Sequence, residues 1–377
     1  MNDRRVSRGR YRAAAVVAAL LVGVTTACTP SPPLTNQQQV DQIVAFVEAT
    51  RGHHFVTPPV VQFASEADFK AAILAQIVAA EPEVDLDETT FKALGWLAPS
   101  GDLYTEYQKT LSGGAVGFYD PATKVLLVRG TDLTPYRREV IAHELTHALD
   151  DQLFDLNVSV GAGLVSDDGE AFLVGVEGDA VRTQQAYVAT MSPLDQAADF
   201  AEQLQLGSDP VLLTIPLAML SLTQMPYLRG GIFAQQVATA GGVPAGLDAT
   251  FARYPSTAEQ AFDTSKYLAN EAPAIVATPP AGGTVVRSGR FGQFNLSLLL
   301  EQGADIDATI HPTTIGWAGD SFVTWKAGGT SCIRLDTAMD TPTQATALDA
   351  ALVTWSALHP GASISQTGST VRLTSCA

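Results

Sequence analysis

Basic residues are scarce in this 377-residue chain: 22 lysines and arginines stand against 39 aspartates and glutamates, for a net charge of −17. Five of those arginines and a single aspartate lie in the first 27 residues, so the remainder carries −21. So acidic a body argues against nucleic acid as a partner. Charged residues make up only 16% and hydrophobic ones 46%, which excludes a disordered or fibrous chain. The length allows two domains and a sizeable core, and no internal repeat divides it. Cysteine is nearly absent, with three residues, Cys28, Cys332 and Cys376. Histidine is almost as rare, with six, yet two stand four apart in "EVIAHELTHALDDQ", residues 139–152.

Long apolar runs are also few. "AAAVVAALLVGVTTA" follows the basic "MNDRRVSRGRYR" and is too short for a typical membrane span, so residues 1–27 read as a signal peptide. It ends in "VTTAC", which resembles the lipobox of bacterial lipoproteins, although Thr25 stands where Leu is commonest. That resemblance implies lipidation of Cys28, a membrane anchor and an extracytoplasmic location in the cell envelope. The Pro/Thr/Gln-rich residues 28–38 read as a tether. The second run, "VLLTIPLAMLSLTQMPYL", contains Pro216 and scattered polar residues; it reads as a buried helix packed over the site, not a membrane span.

The rest of the chain alternates helical and extended patterns. Apolar spacing predicts helices in "VDQIVAFVEATRG", in "SEADFKAAILAQIVAAE" opened by Ser65, and in "TTFKALGWL". "PPVVQFAS" reads as a strand, and "AVGFYDPATKVLLVRG" as a hairpin turning at Asp120-Pro121-Ala122-Thr123. Thr134 and Pro135 then provide an N-cap and a first helical residue, which puts the histidine pair two turns inside a helix. "DGEAFLVGVEGDAVRTQQAYVATM" is a second long helix. From about residue 281 the texture changes to the strands "CIRLD" and "TVRLTSC" around a helix opened by Pro342. The fold class is therefore α+β, with one domain over 39–280 and a small α+β domain over 281–377.

On a helix, residues i and i+4 share a face. His143 and His147 can thus offer two imidazoles to one Zn2+, while Glu144, about 100° round the helix, can reach a water that the metal holds. A third protein ligand is needed. Asp150 and Leu153 stand where a metzincin carries Gly and His. The next helix offers Glu170, Glu177 and Asp179. Leu173, Val174, Ala180 and Val181 surround Glu177 at helical spacing, which predicts a carboxylate turned inward and in need of a cation. Asp179 lies on a more polar face, where solvation is expected, and Glu170 in the polar first turn. Asp150 and Asp151 read equally well as groups that orient a histidine and as a solvated helix end. His53, His54, His311 and His359 read as surface residues, and Tyr187, Tyr227 and Tyr267 are open candidates for an oxyanion donor.

The pair "HELTHALDDQ" and "VEGDA" resembles the gluzincin metallopeptidases, the wider class of thermolysin. With "VGFYDPATKVLLVRG", "MPYLRGG", "YPSTAEQ" and "GWAGD", the chain from about residue 40 more closely resembles bacterial neutral zinc metallopeptidase-like proteins. The resemblance implies a zincin-like domain, mostly helical with a small sheet. It implies His143, His147 and Glu177 as zinc ligands, Glu144 as general base and a peptide or protein substrate in the envelope. The sequence also departs from the pattern. The spacing to Glu177 is longer than in thermolysin, Val181 replaces an aspartate, and Phe262-Asp263-Thr264 replaces a Leu-His-Pro. Two functions follow: a lipid-anchored zinc endopeptidase acting outside the membrane, or a catalytically weak or inactive zinc-binding envelope scaffold. Retention of Glu144 favours the first and Asp263 the second. "KVLLVRG" is expected to be the edge strand that pairs with an extended substrate.

Cys332 begins one strand and Cys376 ends another. If these pair antiparallel, the cysteines meet in a disulfide. Ile333, Leu335, Val371 and Leu373 would bury one face and leave the cysteines on the outer face or the rim.

Overall fold

The computed structural model describes residues 34–156, 163–304 and 307–377. The signal segment, Cys28 and nearly all of the residues before α1 lie outside the described residues. Helix α1 (Asn36–Arg51) starts inside the stretch read as a tether. It is followed by β1 (Val61–Ala64), α2 (Glu66–Ile77), α3 (Glu81–Ala93) and α4 (Leu103–Gly114). Ser65 caps α2 as expected, accepting from the Asp68 N–H. The helix expected at "TTFKALGWL" is α3, which starts eight residues earlier and stops at Ala93. A hairpin of β2 (Gly117–Asp120) and β3 (Val125–Arg129) leads into α5 (Pro135–Phe154). The Thr134 hydroxyl accepts from the Arg137 N–H, and Pro135 takes the first helical position, where its missing N–H costs nothing.

Strand β3 is not an edge. The first sheet runs β1-β3-β2, with β1 parallel to β3 and β2 antiparallel to it. The edge beside the site helix is β2. Below it lies a core of Val40, Ile43 and Val47 from α1, Leu126 and Val128 from β3, and Ile141, Leu145 and Leu149 from α5.

Helix α6 (Asp167–Thr190) is capped by Ser166, and α7 (Pro193–Gly207) by Ser192. The long α8 (Leu217–Gly241) opens after Pro216 and runs well past the apolar segment that predicts it. It packs along α6 at very short range. A Cβ on Gly178 would stand 2.6 Å from the Gly230 carbonyl oxygen, and one on Gly230 would stand 2.8 Å from the Gly178 Cα. These glycines let two backbones touch immediately beside Glu177 and Tyr227. Among the described residues no helix is long and apolar enough to cross a membrane.

Short helices α9 (Ala245–Ala252), α10 (Ala258–Phe262) and α11 (Thr264–Ala269) lead to β4 (Thr284–Gly289) and α12 (Gln293–Leu300). Then come β5 (Trp317–Ala327), β6 (Thr330–Met339), α13 (Pro342–Ser356), β7 (Ser363–Thr367) and β8 (Thr370–Cys376). The five strands form one antiparallel sheet in the order β4-β5-β6-β8-β7. Cys332 pairs directly with Cys376 and is bonded to it. Ile333, Leu335, Val371 and Leu373 face the main core, as their alternation predicts. The opposite face is not open at Cys332, which is 2% exposed beneath Trp325 and Val323. The main core is shared along the chain: Phe91, Val174, Met219 and Phe233 belong to the same cluster as Phe291, Phe322 and Leu373. The architecture is α+β, and residues 36–377 form one compact unit.

Candidate metal centre

Helices α5 and α6 bring three donors together. His143 Nε2 and His147 Nε2 are 3.0 Å apart, and each is 3.2 Å from Glu177 Oε2. Two imidazole nitrogens and one carboxylate oxygen thus form a nearly equilateral triangle, and the three residues are the one such group of metal-ligating side chains among the described residues. The donor atoms of a tetrahedral ion bound at roughly 2.0–2.1 Å stand about 3.3 Å from one another, so this triangle fits a small divalent cation with a fourth position left open. Burial works against charge on His147, but the Glu177 carboxylate beside it, with Glu144 and Asp150, raises its pKa to about 9. Burial likewise pushes Glu177 up, and the two histidines outweigh it and hold the carboxyl well below its usual range.

Glu177 is the expected residue, and Val174, Ala180 and Val181 around it are buried as their spacing predicts, although its surroundings are not uniformly closed. Leu173 on its face is 43% exposed, and Glu177 is less buried than its competitors Glu170 and Asp179. Glu170 leaves the polar first turn for the core, where Asn295 donates to it at 2.5 Å. Asp179 is not solvated: it pairs with the fully buried Arg51. Arg51 also binds Asp150 at 2.9 Å and Asp248 at 2.8 Å, beside the stacked rings of Phe154 and Phe251. One cation serving three carboxylates accounts for Asp150 and Asp179 without a metal.

Neither reading of the aspartate pair at the end of α5 fits Asp151, which is buried and accepts from the Tyr119 hydroxyl at 2.6 Å and from Lys124 Nζ at 2.6 Å. It ties the β2–β3 hairpin to α5. Tyr119 also donates its backbone N–H to Glu144 Oε2 at 2.8 Å, so β2 fixes the rotamer of that carboxylate. Burial raises the Glu144 pKa against the opposing charge of the two histidines.

The group that orients His143 is Gln184, two helical turns beyond Glu177. Its Oε1 accepts from His143 Nδ1 at 2.9 Å, which leaves the Nε2 lone pair for the triangle. Gln184 Nε2 in turn donates to Glu139 Oε1 at 2.9 Å, and Gln203 Nε2 donates to the same oxygen at 3.2 Å. Glu139 hydrogen-bonds Asp199 of α7; burial first, then that neighbour, push the Glu139 pKa up to about 8, and burial raises Asp199 as well. This line of groups makes links that span 41 to 64 residues of the chain, on three helices. Its one local trace in the sequence is the seven-residue step from Glu177 to Gln184, which keeps both on one helical face.

Tyr227, one of the three candidate tyrosines, reaches the site. Its ring lies 5.8 Å from that of His143, and its hydroxyl bonds Glu177, whose charge, followed by burial, raises the phenol pKa well above normal. Tyr187 instead packs on Phe46, and Tyr267 donates to the Arg253 carbonyl. No other histidine comes near: His53 binds Asp248, His54 binds Glu48, His311 contacts Thr313, and His359 stacks on Trp355. Asp263 lines a separate cavity with Lys266 and Asp340. A cleft of about 340 Å³ opens at His143 and Glu144, walled by Gly117, Val140, Leu220 and Tyr227. A second, of about 210 Å³, meets Glu177 from the side of Leu111, Leu173 and Leu222.

One family, described as a domain of unknown function (DUF8575), matches residues 282–375, the segment of the five-stranded sheet and α13. No curated protein and no solved structure matches the chain.

Proposed function

We propose that the protein is a zinc-dependent, zincin-like metallopeptidase that is lipid-anchored through Cys28 outside the cytoplasmic membrane. The observation that carries the reading is the triangle of His143, His147 and Glu177 with Glu144 alongside, on the wall of an open cleft. His143, His147 and Glu177 hold the Zn2+. The ion, when bound, polarises the scissile carbonyl and lowers the pKa of a water. Glu144, one oxygen of which is held by the Tyr119 N–H, uses the other to take the water proton and pass it to the leaving amine. Gln184 keeps the His143 proton on Nδ1 throughout. Tyr227 is the hydroxyl at the cleft suited to the carbonyl oxygen as charge develops on it. An extended peptide adds beside β2, the edge strand, with its side chains in the clefts on either side of the triangle.

A zinc-binding scaffold without activity is the competing reading, and Asp263, its ground in the sequence, lies in a different cavity from the triangle. Cleavage of a mixed peptide library separates the two. Hydrolysis that a chelator abolishes and zinc restores is expected of the peptidase. Glu144→Gln is expected to lose on the order of 100-fold or more in rate while retaining zinc. A zinc-loaded wild type with no turnover on any peptide would leave the scaffold.

A further inference from the structure

Helix α7 is built inside out. A surface helix ordinarily turns its apolar stripe to the core and its charges to water. Here the three charged residues turn inward: Asp195 pairs with Arg138 at 3.3 Å, Glu202 with Arg137 at 3.8 Å, and Asp199 is buried against Glu139. The outward face carries Leu194, Ala197, Phe200, Ala201 and Leu204 and no charge. Leu194 is 79%, Phe200 61% and Leu204 59% exposed, as are Leu213 of the connection to α8, at 76%, and Leu217, the first residue of α8, at 52%. Contiguous apolar surface of this kind marks an interaction site.

We infer that this face of α7 and the turn after it docks into the surface of a lipid bilayer. The position of the chain's start selects the occupant. The Asn36 side chain, in the first residue of α1, donates to the Thr131 carbonyl at 3.0 Å, three residues before the cap of α5. The ion pairs of α7 reach Arg137 and Arg138 in the first turn of that same helix. The start of α1 and the apolar face therefore share one end of the compact unit. Asn36, where α1 begins, is the eighth residue after Cys28, a span of at most about 29 Å, so an anchor at Cys28 keeps this end against the bilayer. The chemistry agrees. Leucine and phenylalanine partition into the boundary between headgroups and acyl chains, and a chain of net charge −17 gains nothing from anionic lipid. The contact is apolar and insensitive to salt. Leu212, in the same connection, lines the cleft at Glu144, so the cleft stands next to the docked element. The choice of occupant rests on the Cys28 anchor and not on the zinc chemistry.

The test uses the chain from residue 29 onward, which has neither acyl group nor apolar leader and contains the whole compact unit. It is sedimented with phosphatidylcholine vesicles, with and without phosphatidylglycerol. Binding to both is expected, unchanged by high salt. Phe200→Ser with Leu204→Gln is expected to lower the partition roughly tenfold or more. Val353→Gln with Leu358→Gln, at exposed apolar positions on and just after α13, is expected to leave it unchanged. Absence of binding, binding that the α7 changes do not weaken, or binding that the α13 changes weaken equally overturns the inference. So does a lipid-free dimer that the α7 changes dissolve, since the face then belongs to a second copy.

Discussion

His143 and His147 stand four apart on a capped helix, and local geometry alone brings them to one point, so the sequence shows them plainly. Gln184 and Glu139 have no such signature, because helix packing, not spacing, lays α6 and α7 against α5. Glu177 is legible through the buried Val174, Ala180 and Val181 around it, while the more deeply buried Asp150 and Asp179 nearby are neutralised by Arg51, which lies 99 residues before Asp150. Gln184→Leu removes the acceptor of the His143 Nδ1 proton, and zinc affinity is expected to fall about 10- to 100-fold. Competition against a chromophoric chelator measures it. Unchanged affinity, with an unchanged melting temperature, would show that Gln184 does not orient the ligand.

At the scale of elements, caps and local turns are readable, and long-range partners are not. Thr134, Ser65 and the turn at Asp120 act within four residues of themselves, so their sequence signals suffice. The pairing of Cys332 with Cys376 is readable because both strands show alternation that forces one register. The place of β3 is not: β1, about 60 residues earlier, lies parallel to it, and nothing in "KVLLVRG" announces that neighbour. The contact of α6 with α8 carries the second prediction. Gly178→Ala or Gly230→Ala puts a methyl group into backbone, which cannot give way as a flexible side chain can. Each is expected to cost about 1–3 kcal/mol and to shift Tyr227 away from Glu177. Gly207→Ala, which meets nothing within 4 Å at the end of α7, is the control and leaves stability the same or slightly higher. Denaturant midpoints decide, and equal midpoints for all three variants would refute the close packing.

Across the whole molecule, buried acids set the response to pH. Burial first pushes Asp87 up to about 7, Asp167 to about 6, Asp320 to about 7 and Glu139 to about 8. Arg287, Arg290 and backbone N–H groups offset part of that for the first three. A group raised in the folded state contributes stability that is complete below its unfolded pKa and lost as pH climbs through the folded one. The carboxyls held below their usual range, Glu48, Asp102, Asp120, Glu177 and Asp263, act only at more acid pH. Stability is therefore expected to fall from roughly pH 5 to roughly pH 8. Melting in the presence of chelator, which takes the metal out of the comparison, is expected to be several degrees higher at the acid end. A higher melting temperature at the alkaline end contradicts this.

The central claim is that His143, His147 and Glu177 hold one zinc ion, and metal content tests it most directly. Protein purified without its first 28 residues is expected to carry about one zinc per chain, removable by chelator. Glu177→Ala is expected to lose most of it, while Asp179→Asn, which alters the Arg51 cluster two residues away, keeps it. Equal zinc in the wild type and Glu177→Ala, or none in the wild type after incubation with the metal, would contradict the account.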